Sequence, residues 1–100
     1  MITITAVIRA KKGSEATMRQ ALLDVARHVQ ENEAQTLSFF VSQDEGDPAV
    51  FTTYERFEDR AAMDRHNNSA VVARFFDIAR PILDGPVTLV TASEISSKQS

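Results

Sequence analysis

The chain reads TLSFFVS over residues 36–42, DEGDP over 44–48 and VFTTYERF over 50–57. The two outer runs are rich in aromatic and β-branched residues, which suit a pleated and half-buried strand. The run between them consists of acidic residues, glycine and proline, which favour a turn. The middle of the chain is therefore predicted to form a β-hairpin with strands at about 36–43 and 50–57.

A strand and a helix are predicted before this hairpin. Apolar and polar side chains alternate from Ile2 to Arg9, which is the period of a strand. Over roughly 14–32 the apolar residues instead recur every three or four positions, as on one face of a helix. Ser14 is predicted to be the N-cap, because its hydroxyl can accept a hydrogen bond from a free N–H group of the first turn.

A helical region and a final strand are predicted after the hairpin. Asp59 and Ser69 are the predicted N-caps of two successive helical segments, which the helix-breaking run 67–69 separates. Pro81 is predicted to kink or fray the second segment, because it has no N–H group to donate. Residues 87–95 are then predicted to form a strand.

The predicted elements follow the order β-α-β-β-α-β, with the helical region counted once. A split β-α-β arrangement satisfies this order: a four-stranded antiparallel sheet with both helices on one face. A chain of 100 residues has room for a single core. We therefore predict one α+β domain over residues 1–95, followed by a polar tail at 96–100.

The composition argues against several classes of protein. Eleven Lys and Arg residues against fourteen Asp and Glu leave a net charge of −3, which disfavours binding to nucleic acid or to an anionic membrane surface. The chain has no cysteine for a disulfide or a thiol nucleophile, and its two histidines lack metal-ligand spacing. It has no glycine-rich phosphate loop, so no nucleotide-type cofactor is expected. It also lacks a long apolar run and a signal-peptide pattern, so a cytoplasmic location is expected.

The strand pattern also predicts an interface between two copies of the chain. Two helices can cover only one face of a four-stranded sheet. The opposite face carries apolar residues among Ser and Thr, a composition that is typical of an interface, so a homodimer through this face is expected. The helix-facing residues are predicted to be Ile2, Ile4, Ile8, Leu37, Phe39, Val41, Phe51, Thr53, Glu55, Phe57, Val87 and Leu89, and the apolar residues of the opposite face Val7, Phe40, Val50, Tyr54 and Val90.

His66 is the leading candidate for a chemical role. It follows Ala62 by four residues and Met63 by three, which puts it on the inward stripe of its helix. Glu55 is predicted to project from its strand into the same apolar layer, where a carboxylate needs a partner. The pair could act as a general base held by a carboxylate beside an apolar pocket. It could equally be a structural pair that fixes how the helix docks on the sheet.

The predicted pocket is mostly apolar, and Asn67 could add amide donors at its rim. The other histidine, His28, lies on the polar-to-boundary arc of the first helix and is expected to be solvated. The predicted substrate-binding residues are Phe39, Phe51, Phe57, Met63, Asn67, Val72 and Phe76.

Two segments resemble a known family. Residues 54–66 read YERFEDRAAMDRH, which is similar to a pattern of the antibiotic biosynthesis monooxygenase (ABM) family: Y-E-x-aromatic, an acidic residue, small residues and then His. Residues 33–39 read EAQTLSF and resemble the family segment E-x-G-C-x-x-Y, with Gln35, Thr36 and Phe39 in place of Gly, Cys and Tyr. The order of the elements agrees with that family over nearly the whole chain.

The resemblance implies a dimeric α/β barrel in which two ferredoxin-like sheets face each other. It also implies oxidation of a small aromatic or quinol-like substrate by dioxygen, without a metal or an organic cofactor. His66 and Glu55 stand at the matching catalytic positions, with His66 as the general base. Many relatives have a second histidine five residues after the first, where this chain has Val71.

Two other functions are compatible with the same scaffold. One is the isomerisation of a small signalling or sugar-derived metabolite, because proton transfer by His66 would also suit an enolisation. The other is a dimeric binding or stress-response module in which the pair of His66 and Glu55 is structural. Dioxygen uptake with a panel of quinols would separate the first function from these two.

Overall fold

The computed structural model describes residues 1–98, which form an antiparallel sheet with helices packed on one face. The strands are β1 (Ile2–Arg9), β2 (Thr36–Gln43), β3 (Val50–Phe57) and β4 (Thr88–Ser93), and the α-helices are α1 (Glu15–Asn32), α2 (Arg60–Asn67) and α3 (Ala70–Ala79). The order in the four-stranded sheet is β2-β3-β1-β4, and each neighbouring pair is antiparallel. The predicted α+β class and the split β-α-β arrangement are therefore confirmed.

The observed elements differ from the predicted ones mainly near the end of the chain. β4 stops at Ser93, and Ile95, which was predicted to close this strand, is 99% exposed. Ser93 lies opposite Ile2, the first residue of the neighbouring strand β1, and beyond this pair the N–H group of Glu94 donates to the Met1 carbonyl at 3.0 Å. The predicted polar tail at 96–100 has no regular structure up to Lys98, and its last two residues lie outside the described residues.

The side chains of Leu37 and Leu89 are exposed, although both were predicted to face the helices. The register between β2 and β3 shifts between Thr36 and Ser38, where two steps along β2 match one step along β3. Leu37 lies at this β-bulge on the edge strand β2, and the residue is 44% exposed. Leu89 has the predicted parity but is 58% exposed, because β4 lies at the edge of the sheet.

Polar residues divide the core beneath the helices into two parts. The larger apolar cluster lies under α1 and α3 and includes Phe51, and the smaller one joins Ile4 and Phe57 to α2. Thr53 and Glu55 lie between these clusters on the same face of β3, and both are buried. Buried polar side chains need hydrogen-bond partners. This part of β3 therefore marks where a polar site is built into the core.

The helical region after β3 is divided where the sequence predicts. Asp59 caps α2, and its carboxylate accepts a hydrogen bond from the N–H group of Ala62 at 2.8 Å. Ser69 caps α3, and its hydroxyl accepts from the N–H group of Val72 at 3.3 Å. Ser14 stands at the start of α1 but makes no capping hydrogen bond, contrary to the prediction. Its φ of −108° and ψ of 11° depart from the extended conformation of the other two caps.

Replacement of Ser69 by alanine should destabilise the protein more than replacement of Ser14. Ser69→Ala removes the cap and also the hydrogen bond that this hydroxyl donates to the His66 carbonyl at 2.7 Å. We expect a loss of about 1 kcal/mol in the free energy of unfolding. Ser14→Ala is the matched control, with an expected change below about 0.5 kcal/mol. Urea unfolding measures both changes. Equal losses of unfolding free energy in the two variants would contradict the conclusion that Ser69 makes a capping hydrogen bond and Ser14 does not.

Candidate active site

The imidazole of His66 lies inside the protein, on the inward side of α2. The residue is 5% exposed. The rings of Phe39 and Phe57 flank it, with centroid distances of 5.5 and 5.4 Å. An imidazole this deeply buried among aromatic rings must have hydrogen-bond partners.

A carboxyl group lies beside each nitrogen atom of this imidazole, and the one beside Nδ1 is within hydrogen-bond distance. Nδ1 lies 2.9 Å from Oε1 of Glu33, and Nε2 lies 3.4 Å from Oε1 of Glu55. Glu55 reaches the imidazole from β3, in agreement with its strand parity, and Glu33 reaches it from the C-cap position of α1. The fold thus brings together three titratable side chains from three separate elements.

Glu33 is a member of this site that the sequence analysis did not select. Its Oε1 also accepts a hydrogen bond from the Thr36 hydroxyl at 2.8 Å. Its Oε2 is buried and has no hydrogen-bond partner within residues 1–98, and Nε2 of His28 lies 3.6 Å from it. One feature of the sequence could have indicated this residue: Glu33 is the first residue of the segment 33–39, which resembles the ABM pattern.

Burial raises the pKa of Glu55 above its ordinary value of 4.5. Removal from water is the largest cause, and the negative charge of Glu33 acts in the same direction. The Thr53 hydroxyl, which donates to Oε2 at 2.8 Å, and the nearby His66 favour the charged form and oppose the rise. Glu55 therefore retains a proton at a higher pH than a glutamate in water does.

The two carboxyl groups and the imidazole place several proton-carrying atoms next to one another. An imidazole nitrogen accepts a proton when it is unprotonated and donates one when it carries it, and a carboxyl group can do the same. A proton that moves between an oxygen and a nitrogen atom within this group leaves the net charge of the group unchanged. Such a group is suited to acid–base chemistry.

A small apolar cavity borders this group between the sheet and the helices. Its volume is about 80 Å³, and both His66 and Glu55 contribute to its wall. The exposed residues Asn67 and Leu89 also line it, so the cavity reaches the surface. Most of the wall is aliphatic or aromatic, which suits an apolar ligand.

The structure brings four of the seven predicted substrate-binding residues to this cavity. Phe39 lines it from β2 and Asn67 from the end of α2. Val72 and Phe76 line it from successive turns of α3, and both are half-buried. These four side chains therefore remain candidates for contact with a substrate.

The other three predicted substrate-binding residues lie outside the cavity lining. Phe51 is packed in the larger apolar cluster, and Phe57 and Met63 are packed in the smaller one. Each of the three is at most 6% exposed, because its side chain packs in one of the two apolar clusters that flank Glu55 and His66. They support the cavity walls from behind, and Phe57 also packs against the imidazole.

A larger and more polar groove lies on the other side of the imidazole. Its volume is about 430 Å³, and it opens to solvent. His28, Glu33, Arg65 and Ser69 are among its lining residues, and His66 borders it as well. The imidazole therefore stands between the inner cavity and this outer groove.

Within the part of the chain that the structure describes, no cluster of three or more His, Cys, Asp and Glu side chains could hold a metal ion. None of the helices in residues 1–98 combines the length and the apolar character that a bilayer-spanning helix requires.

The family model described as "Antibiotic biosynthesis monooxygenase" (ABM) matches residues 1–78. The chain belongs to this family. The match runs from β1 through most of α3, so the matched range includes Glu33, Glu55 and His66. No curated protein matches this ABM chain.

Several solved structures share the fold of this ABM chain. A Nitrosomonas europaea protein named after the same family has a TM-score of 0.87 at 18% identity, covering 96% of this chain and 100% of that one. A Mycobacterium tuberculosis protein has a TM-score of 0.89 at 15% identity, with 98% of both chains covered. A Pseudomonas aeruginosa protein has a TM-score of 0.86 at 25% identity, covering 95% of this chain and 94% of that one. The likeness extends over nearly the whole chain.

The raised pKa of Glu55 predicts how the stability of the protein depends on pH. A carboxyl group with a higher pKa in the folded state favours folding at low pH, and this contribution is lost as the pH rises through the folded-state pKa. Glu55→Gln removes the titration. The quantity to compare is the free energy of unfolding of the wild type minus that of Glu55→Gln. This difference should fall as the pH rises from below 4.5 to above the folded-state pKa of Glu55. Urea unfolding at a series of pH values measures this difference.

Glu58→Gln is the matched control for this experiment. Glu58 directly follows β3 and its side chain is exposed, so the wild type should show no such fall relative to this variant. A wild type that instead gains stability over Glu55→Gln as the pH rises would contradict the prediction. It would mean that the attraction between Glu55 and His66 outweighs the effect of burial.

Proposed function

We propose that this chain is a monooxygenase that oxidises a small aromatic or quinol-like substrate with dioxygen, without a metal or an organic cofactor. The observation that carries the proposal is a buried imidazole, held between two carboxyl groups, in the wall of an apolar cavity. Membership of the ABM family supports the same class of reaction.

The proposed reaction balances without a further reactant. Removal of the proton from a phenolic hydroxyl leaves an electron-rich anion, and this anion transfers electrons to dioxygen. One oxygen atom of dioxygen enters the ring at a free position to give a quinone, and the other leaves as water. The ring loses as many electrons as dioxygen gains, so the substrate supplies all the reducing equivalents.

The protein supplies a base and a site shielded from water. The hydroxyl proton passes to the pair formed by His66 and Glu55, with His66 as the general base and Glu55 holding it. The rings of Phe39 and Phe57 pack against the imidazole and leave it open to water toward the outer groove. Exclusion of water from the inner cavity strengthens the electrostatic interactions of the oxyanion with its surroundings.

The size of the cavity limits what can bind without movement. Its volume of about 80 Å³ is well below the roughly 150 Å³ of an engineered cavity that holds benzene. An aromatic ring therefore enters only when lining side chains move apart. Val72 and Phe76 on α3 are half-buried and Leu89 on β4 is exposed. The side chains of the wall between α3 and β4 are therefore the ones we expect to move.

His66→Gln should remove most of the turnover and leave the fold intact. Glutamine keeps hydrogen-bonding atoms beside the two carboxyl groups but cannot take up a proton. Loss of a general base lowers rates by about 100-fold or more. The measurement is dioxygen uptake with a panel of quinols and phenols without added metal or flavin, and circular dichroism checks the fold.

Asp64→Asn is the matched control, because Asp64 is an exposed residue on the same helix as His66. This variant should keep the rate of the wild type. Full activity of His66→Gln would contradict the role of His66 as a base. Wild-type protein that binds such compounds but consumes no dioxygen would contradict the proposed reaction and favour the isomerase or the non-catalytic binding module.

We also propose that two copies of the chain associate through the sheet face opposite the helices. Val7, Phe40, Tyr54 and Val90 are 39% to 58% exposed on that face and form an apolar patch. The rings of Phe40 and Tyr54 are stacked, with a centroid distance of 6.4 Å, so the patch presents a broad surface across β2 and β3. A second sheet packed on this patch would remove it from water and form a barrel from two sheets.

Phe40→Asp should shift the protein from dimer to monomer. The substitution would place a carboxylate between the two sheets, where it would lose its hydration without gaining a partner. Leu23→Asp is the matched control, because Leu23 is 40% exposed on α1, away from this face. Sedimentation velocity over a range of concentrations measures the equilibrium. A wild type that stays monomeric, or a dimer that Phe40→Asp leaves unaffected, would contradict this interface.

A further inference from the structure

A base in a buried site must return its proton to solvent before it can act again. His66 and Glu55 are only 5% and 6% exposed, so their access to water is restricted. Glu33 and His28 lie on the other side of the imidazole and border the outer groove. On that side, atoms that can carry a proton follow one another from the imidazole to the surface.

This series runs through both oxygen atoms of Glu33. Nδ1 of His66 lies 2.9 Å from Oε1. Oε2 is buried without a hydrogen-bond donor among the described residues, and it lies 3.6 Å from Nε2 of His28, a side chain that is 36% exposed. A buried carboxylate oxygen without a donor lowers stability. A role in proton transfer accounts for its position between two imidazole rings.

We propose that Glu33 and His28 form the route by which protons pass between the buried pair of His66 and Glu55 and the solvent. This inference rests on the proposed function, because a reaction that deposits a proton on the pair requires such a route. Glu33 is then a positioning and relay residue: Oε1 fixes the imidazole of His66, and Oε2 faces the next acceptor.

Each step of the proposed route moves one proton and no electrons. The substrate hydroxyl becomes an oxyanion as the pair of His66 and Glu55 gains its proton. A proton then leaves Nδ1 of His66 for the carboxylate of Glu33. Rotation of this carboxyl group presents the proton to Nε2 of His28, and the exposed ring of His28 releases it to water.

The titratable and charged groups around His66 come from β3, from α1 with its C-cap, and from α2. Glu55 on β3 faces Nε2, His28 lies on α1 and Glu33 is its C-cap residue, and Arg65 on α2 borders the outer groove. The contribution of β2 is uncharged and consists of the Phe39 ring and the Thr36 hydroxyl. The pH dependence of proton transfer therefore belongs to this whole group and not to His66 alone.

Exchange of the His66 ring protons with water tests the route without any substrate. NMR of protein that contains ¹⁵N-labelled histidine measures this exchange directly. Glu33→Gln should slow it by about tenfold or more, because an amide does not relay a proton as a carboxylate does. Glu31→Gln, an exposed change on the same helix, is the matched control and should leave the rate unchanged.

A second variant keeps the test decisive if Glu33→Gln disturbs the fold. His28 lies on the surface of α1, so His28→Gln leaves the core intact. It should also slow the exchange of the His66 ring protons, because the route then loses its last carrier. Unchanged exchange in His28→Gln and in folded Glu33→Gln would overturn the proposed route, whatever the activity of the protein.

Turnover separates a relay from a merely structural role of Glu33. With a substrate that the wild type oxidises, Glu33→Gln should lower kcat and leave KM nearly unchanged. Added imidazole, as a diffusible proton carrier, should restore part of the lost rate in this variant but should not accelerate the wild type. A loss of kcat that imidazole does not restore would overturn the relay.

Ring-proton exchange tests the proposed route, and dioxygen uptake tests the proposed oxidation, so either proposal can be contradicted without the other. Slowed ring-proton exchange in Glu33→Gln, together with no dioxygen uptake by the wild type on any substrate, would support the route and overturn the proposed oxidation. Dioxygen uptake with unchanged exchange in the variants would support the oxidation and overturn the route through Glu33 and His28.

Discussion

The arrangement of the site follows from one constraint: a carboxyl group on the helix-facing side of β3 has to be protonated or paired. Glu55 occupies that side next to the apolar ring of Phe57, where an isolated charge is strongly disfavoured. His66 provides a partner from α2, and Glu33 engages the other nitrogen of the imidazole. The core divides around these three side chains into two apolar clusters, and the cavity opens beside them.

Much of the fold could be predicted because its elements carry clear local signals. The alternation of Ile2–Arg9 and the turn residues between β2 and β3 each specify a structure over a short stretch, without information from the rest of the chain. The same periods identified part of the site. Strand parity predicted that Glu55 faces inward, and helical spacing predicted the same for His66, so their proximity could be anticipated before the fold was known.

The remaining features depend on contacts that no local period encodes. Glu33 lies at the end of α1, where the helical periodicity has ended and the alternation of β2 has not begun. The direction of its side chain therefore depends on the geometry of the helix C-cap. The bulge at Leu37 depends on pairing with β3. Phe51 and Met63 show a third limit. The pattern identifies them as inward residues, but only the packing of the whole core decides which side chains border empty space.

The interruption between α2 and α3 places two sides of the cavity on separate helices. His66 belongs to one helix, whereas Val72 and Phe76 belong to another that starts anew at the Ser69 cap. A single continuous helix would transmit an outward tilt of Phe76 directly to the imidazole. With the helix divided, a tilt of α3 is not imposed on α2 through one continuous helix axis. The fold thereby separates the helix that carries the imidazole from the helix that carries the facing wall of the cavity.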